Sequence, residues 1–380
     1  MAPGASPPSV PTVAETINHP AFPTTLWELE PDRKGLAPVA QGRGGLFNIS
    51  WEIHGVGPTR LIFIMGLGGF KSAWQRQTLH FGHERRDQYS VMLIDNRGMG
   101  DSDTPLMRYS TSEMALDIAE VLADPSVGWL PSYPLPPSPP PKRTLHVVGI
   151  SLGGMIAQEL AVILPTSLAS LSLICTAAAI ENTTTFAENM AQRASLLLPK
   201  SLDRSVADAA RQIFAHDWLT QPDDAHLPSP DTTPLCHPPP PPTPPSPSVT
   251  TTTTPHPKAY LHFTTNAQRF VAQEVHKRLD ARGRFKLAGF VLQLIAAGWH
   301  HKSPAQLAAM ADAVGRERIL VVHGTADGMI SVPHGRKLIA FVQPGRGLVV
   351  EGMGHAPLVE RWVWFNGLVE EQCRVGEGLE

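Results

Sequence analysis

The stretch Leu145-His146-Val147-Val148-Gly149-Ile150-Ser151-Leu152-Gly153-Gly154-Met155-Ile156-Ala157-Gln158-Glu159-Leu160 governs how the rest of the sequence is read. A short apolar run ends in a serine flanked by glycines, and apolar residues then recur at helical spacing. That pattern is strand, sharp turn, helix, with Ser151 at the apex. Gly149 and Gly153 carry no Cβ, so the turn can close tightly while the serine hydroxyl projects into a cleft. The Leu152 N–H, opening the helix, points at any negative charge that forms beside Ser151. A five-residue pattern of this kind also occurs in ordinary glycine-rich turns. Here the strand before it and the helix after it fit a nucleophile.

A serine hydroxyl needs a base, and the base needs an orienting acid. Arg318-Ile319-Leu320-Val321-Val322-His323-Gly324 reads as a buried strand and leads into Thr325-Ala326-Asp327-Gly328. Gly345-Arg346-Gly347-Leu348-Val349-Val350 reads as the next strand and leads into Glu351-Gly352-Met353-Gly354-His355. Asp327 and His355 therefore each follow the carboxyl end of a strand, where parallel α/β sheets build their sites. Taken singly, Asp327 could cap a turn and His355 could be a surface histidine. Together with Ser151 they supply acid, base and nucleophile. Glu351 is the nearby competitor as acid, and its position at the strand end suits a structural pair better.

With these residues in place, the chain resembles an α/β-hydrolase-fold serine hydrolase of the esterase and lactonase kind. The chain order Ser, Asp, His is that of the family. Met65-Gly66-Leu67-Gly68-Gly69-Phe70, after the strand Arg60-Leu61-Ile62-Phe63-Ile64, is similar to its His-Gly-x-x-Gly oxyanion loop, with Met65 where the family commonly has histidine. Asp95-Asn96-Arg97-Gly98-Met99-Gly100-Asp101-Ser102 is similar to its D-x-R-G-x-G-x-S turn, whose acid and arginine are structural. The resemblance implies a mostly parallel central sheet flanked by helices, with an inserted helical cap. It also implies a catalytic triad of Ser151, His355 and Asp327, and an oxyanion hole from the Leu67 and Leu152 N–H groups. The segment Ser151 to Gln158 looks especially like the elbow helix of small-molecule enol-lactonases. Two other readings keep the fold: an acyltransferase or cofactor-free haloperoxidase-like enzyme on the same triad, and a non-catalytic ligand-binding protein. Haloalkane dehalogenases and epoxide hydrolases place an aspartate where Ser151 stands, so those activities are not expected.

Composition agrees with a soluble enzyme. The chain has 380 residues, enough to bury a large core, and a formal net charge of −3, which gives no reason to expect nucleic acid or an anionic membrane. Three widely spaced cysteines, Cys175, Cys236 and Cys373, argue against a disulfide framework and for a reducing compartment, so a cytoplasmic location is expected. Cys175 reads as a buried strand residue. No apolar stretch is long enough to span a bilayer, and the first 30 residues show neither a secretory nor a mitochondrial pattern. His300-His301 and His323 lack zinc-ligand spacing, so neither metal nor organic cofactor is expected. The expected partner is a small ester or lactone substrate, and no motif specifies an oligomeric state.

Along the chain, residues 1–35 read as a flexible N-terminal tail and 36–180 as the first part of the hydrolase core, with a Pro-rich insert over 130–142. Residues 181–304 read as the helical cap, carrying a disordered Pro/Thr-rich insert over 222–258, and 305–380 as the second part of the core. Proline tracts of this kind can dock SH3- or WW-like partners, but loop expansion is the simpler reading. Apolar stripes at helical spacing (Phe186, Met190, Ala194 and Leu197; Val206, Ala210, Ile213 and Phe214; Phe270, Val271, Val275 and Leu279) mark cap helices. Met155, Met190, Phe214, Trp299 and Met329 are candidate substrate-lining residues, and their character suggests an apolar acyl or alcohol group.

Overall fold

Residues 10–136, 142–181, 200–240 and 258–379 are described by the computed structural model. Its strands are β1 (Arg33–Val39), β2 (Phe47–His54), β3 (Thr59–Ile64), β4 (Tyr89–Ile94), β5 (Leu145–Ile150), β6 (Leu168–Ile174), β7 (Ile319–Gly324) and β8 (Arg346–Val350). They form one eight-stranded sheet in the order β1-β2-β4-β3-β5-β6-β7-β8. β1 pairs antiparallel with β2, and β2 with β4, while the remaining neighbours are parallel. This is an α/β-hydrolase fold, as the sequence leads one to expect.

Apolar runs without polar alternation make strands covered on both faces, and every residue of β5, β6 and β7 is buried. The principal helices are α1 (Val13–Ile17), α2 (Thr111–Ala123), α3 (Leu152–Ile163), α4 (Leu202–Ile213), α5 (Asn266–Arg278), α6 (Leu287–Trp299), α7 (Pro304–Val314), α8 (Val332–Val342) and α9 (Trp362–Gly378). The pleat divides the strands between two cores. Ile62, Ile64, Ile319 and Val321 join Ile118 of α2, Ile156 of α3, Leu307 of α7 and Leu338 of α8. Leu61, Phe63, Leu320 and Val322 join Trp74, Phe81, and Phe365 and Leu368 of α9. The outcome is three layers, with the carboxyl ends of β3, β5, β6, β7 and β8 opening on one edge.

Two low-complexity stretches are more ordered than their composition suggests. The tail expected over 1–35 is packed from Val10 onward. Thr12 and Glu15 close a capping box on α1, His19 stacks on Phe263 at 5.0 Å, and Phe22 stacks on His276 at 4.4 Å. Proline and threonine content masked a cap and two aromatic anchors. The insert expected to be disordered over 222–258 is likewise built in over 222–240: Ala225 and Cys236 share a small core with Trp27, Leu79 and Tyr260. The rest of that insert, residues 241–257, lies outside the described residues, as do 137–141 of the shorter one. Tyr133 and Leu135 of the shorter insert pack against the main core.

Asp223 anchors the longer insert. Its carboxylate accepts twice from Arg269 Nε at 2.7 Å, lies 2.6 Å from Arg269 Nη2, and also accepts from the Phe263 and Ala225 N–H groups. Burial works against its ionisation, but the Arg269 hydrogen bonds and charge outweigh it and hold the carboxyl below its usual range. Asp223→Ala strands the buried Arg269 guanidinium and is expected to cost about 3–5 kcal/mol in urea unfolding. Because the folded pKa is depressed, this stability is present above the ordinary carboxylate pKa. It is lost as pH falls through the lower folded value.

Candidate active site

Ser151 is held where sequence placed it, between β5 and α3, with φ 55° and ψ −123°. A non-glycine residue at positive φ is strained and persists only when its surroundings over-determine it. Here the Ser151 N–H donates to Ile174 O at 3.0 Å, and the Thr176 hydroxyl donates to Ser151 O at 2.7 Å. The flanking glycines are required by contact. A Cβ on Gly149 would stand 2.3 Å from Gly153 O, and one on Gly153 would stand 2.1 Å from Ile64 O. Gly153→Ala should therefore push α3 off β3, costing at least about 3 kcal/mol in a thermal or urea melt. A variant as stable as the parent would show that the turn has room to relax.

The loop after β3 comes down on the serine: a Cβ on Gly66 would lie 3.0 Å from Ser151 Cβ and 3.5 Å from Oγ. Gly69 N–H donates to Gly66 O, and Gly68 N–H donates to Gln293 Oε1 of α6 at 3.0 Å, so neither bond uses the Leu67 N–H. Gln293 also donates to Arg97 O at 2.9 Å, tying this loop to the turn after β4. Leu152 opens α3, so its N–H has no acceptor one turn back. In the turn after β4, Asp95 accepts from the Lys71 and Asp101 N–H groups, and Arg97 makes a two-point pair with Asp117 at 2.6 Å for each bond. Asp95 closes the turn, and Arg97 ties it to α2. Asp117, the partner of Arg97, carries no signal in the sequence beyond its place on α2.

Asp327 and His355 meet beyond β7 and β8. Asp327 Oδ1 accepts from the Met329 and Ile330 N–H groups at 2.9 and 2.8 Å, and Oδ2 accepts from His355 Nδ1 at 2.7 Å. A carboxylate cannot donate, so the neutral imidazole carries its proton on Nδ1 and leaves a lone pair on Nε2. His355 N–H donates to Ile213 O of α4 at 2.6 Å, and Glu360 accepts from the Gly354 and Ala215 N–H groups, so the insert between β6 and β7 holds the histidine loop. Burial pushes the Glu360 carboxyl up. Ser151 Oγ and His355 share no hydrogen bond. Glu351 is exposed; its backbone oxygen accepts from Arg361 Nη2 at 3.0 Å, and among the described residues its side chain has no ion-pair partner.

Two neighbours of Asp327 were not read from sequence as part of the site. His323 Nε2 donates to Ile330 O at 2.7 Å and lies 3.4 Å from Asp327 Oδ2, and burial lowers its pKa. Cys175 lies one residue past β6, fully buried, at φ 44°. Its place at a strand's carboxyl end was the signal that could have flagged it.

Five apolar residues were candidates to line the substrate pocket. Phe214 lines a cavity of about 160 Å³ with Met65, Leu67, Phe270, Ala356 and Leu358, a lining that includes neither Ser151 nor His355. The same cavity also reaches Gln273, Glu274, His276, Lys277 and Arg284, a polar side that the sequence reading lacked. Met155 is 1% exposed and packs in the main core beneath the turn. Trp299 and Met329 are 66% and 45% exposed, and Trp299 is covered by Arg108 at 4.7 Å. Met190 lies outside the described residues. A larger cavity, about 700 Å³, lies between the N-terminal segment and β2, lined by Trp27, Trp51, Glu52 and Lys71, away from Ser151.

Residues 53–368, most of the chain, match the family described as the alpha/beta hydrolase family. The chain belongs to that family. A relative named 3-oxoadipate enol-lactonase 2, from Acinetobacter baylyi, is 30% identical over 159 residues, covering 42% of this chain and 51% of its own. The chain thus spans about half the length of that curated relative. Among solved structures, a thermophilic esterase from Thermogutta terrifontis aligns with a TM-score of 0.59 at 16% identity, over 90% of this chain and 99% of its own. A bromoperoxidase from Bacillus anthracis aligns with a TM-score of 0.58 at 15% identity, over 90% of this chain and 100% of its own. At such identities these structures speak for the α/β-hydrolase fold. Among the described residues no helix is long and apolar enough to cross a membrane.

Proposed function

We propose that this α/β hydrolase is a serine esterase or lactonase acting on a small, largely apolar substrate through Ser151, His355 and Asp327. One observation carries the reading: a serine strained at a strand-to-helix turn shares its sheet edge with a buried histidine whose Nδ1 proton is held by a carboxylate at 2.7 Å. His355 Nε2 takes the Ser151 proton as Oγ attacks the acyl carbonyl. The Leu67 and Leu152 N–H groups receive the oxyanion, each donor contributing roughly 2.7–4 kcal/mol. His355 then protonates the leaving alkoxide, and the same base activates water to release the acyl group. Asp327 holds the imidazole tautomer and balances the imidazolium. The helical insert serves as a cap, and Phe214 and Phe270 receive the apolar part of the substrate.

A panel of esters and lactones of varied acyl length, run beside fluorophosphonate labelling, tests this. The name of the enol-lactonase relative favours including small lactones. Turnover of some members with a single labelled serine is expected. No turnover and no label would favour a ligand-binding protein of the same fold.

A further inference from the structure

Among the described residues, one group of three or more Cys, His, Asp and Glu side chains is gathered closely enough to share a metal ion: Cys175, Asp327 and His355, with ligand atoms all within 4.8 Å of one another and all three residues buried. We propose that this cluster is an inhibitory site for zinc. It rests on the esterase reading only for the inhibition, not for the binding.

A thiolate, a carboxylate and an imidazole are the donors zinc prefers, at about 2.3 Å for sulfur and about 2.0–2.2 Å for nitrogen and oxygen. Around a tetrahedral ion such donors stand about 3.3–3.6 Å apart, so the 2.7 Å His355–Asp327 contact widens by roughly half an ångström. The three donors come from different loops. Cys175 follows β6 with its N–H on Val322 O at 2.8 Å, Asp327 follows β7, and His355 follows β8. The Cys175 thiol donates to Gly354 O at 3.8 Å, so zinc must displace that proton to solvent. His355 gives up its Nδ1 proton and takes one on Nε2 through solvent, so the ring stays neutral. One proton is released per zinc bound. The consequence for catalysis follows from the tautomer. With zinc on Nδ1, His355 Nε2 carries a hydrogen and has no lone pair for the Ser151 proton.

Zinc chloride titrated into the full chain by calorimetry, beside turnover of a p-nitrophenyl ester, tests the site. One zinc per chain should bind, nearly all turnover should be lost, and EDTA should restore it. Cys175→Ser and His355→Gln should each remove that one zinc, whereas Cys236→Ser and Cys373→Ser, at the other buried cysteines, should keep it. If Cys175→Ser fails to fold, His355→Gln carries the same comparison. A parent that takes up no zinc, or variants that bind it as the parent does, would overturn the site. Ester turnover untouched by zinc leaves the esterase standing and removes the inhibitory site. Zinc bound through these residues with no ester cleaved leaves the metal site standing and removes the esterase.

Discussion

Ser151→Ala is expected to abolish fluorophosphonate labelling and to lower ester turnover by roughly 10⁴–10⁶-fold, the loss seen when the nucleophile of a triad is removed. The fold should survive, because the hydroxyl Oγ is not part of what holds the turn. The contacts that hold it run through the Ser151 N–H and carbonyl, to Ile174 and from Thr176. Alanine meets the same positive φ, so stability should change little. Mass spectrometry of the labelled parent should place the probe on Ser151. A probe that still enters the variant would move the nucleophile elsewhere.

The second large effect separates the two candidate acids. Asp327→Asn should lower turnover by roughly 10⁴-fold, because an amide can stabilise the wrong imidazole tautomer and carries no charge for the imidazolium. The same change replaces an acceptor of the Met329 and Ile330 N–H groups by another acceptor, so the loop itself should hold. Glu351→Gln should leave turnover near that of the parent, since the Glu351 side chain is exposed and the carboxylate on His355 Nδ1 is that of Asp327. Single-turnover kinetics on both variants decides the ranking. The reverse order would transfer the role to Glu351.

The fold and the three residues of the proposed triad were legible because each was announced by chemistry local in the chain. Glycines on either side of Ser151, apolar runs leading into the Asp327 and His355 loops, and the glycine-rich segments after β3 and β4 are signals within a dozen residues. The parallel order of the strands then brings their carboxyl ends together, whatever the lengths of chain between them. What could not be read was every partnership decided by the pairing of distant segments. The Val13 N–H meets Asp203, Leu29 bridges Cys236, and Asp223 meets Arg269, so stretches with the composition of disorder became packed structure once aromatic and charged partners elsewhere were in reach. Cys175 came to Asp327 and His355 only when β6, β7 and β8 were laid side by side. Which apolar residue faces substrate was equally hidden. Helical spacing says that Met155, Phe214 and Trp299 lie on apolar faces, but whether such a face meets the core, a cavity or solvent is fixed by what packs against it. Sequence determined where the chemistry stands along the chain, because backbone turns and strand burial are local demands; tertiary structure alone decided which side chains touch, because contact depends on how the strands and insert are assembled in space.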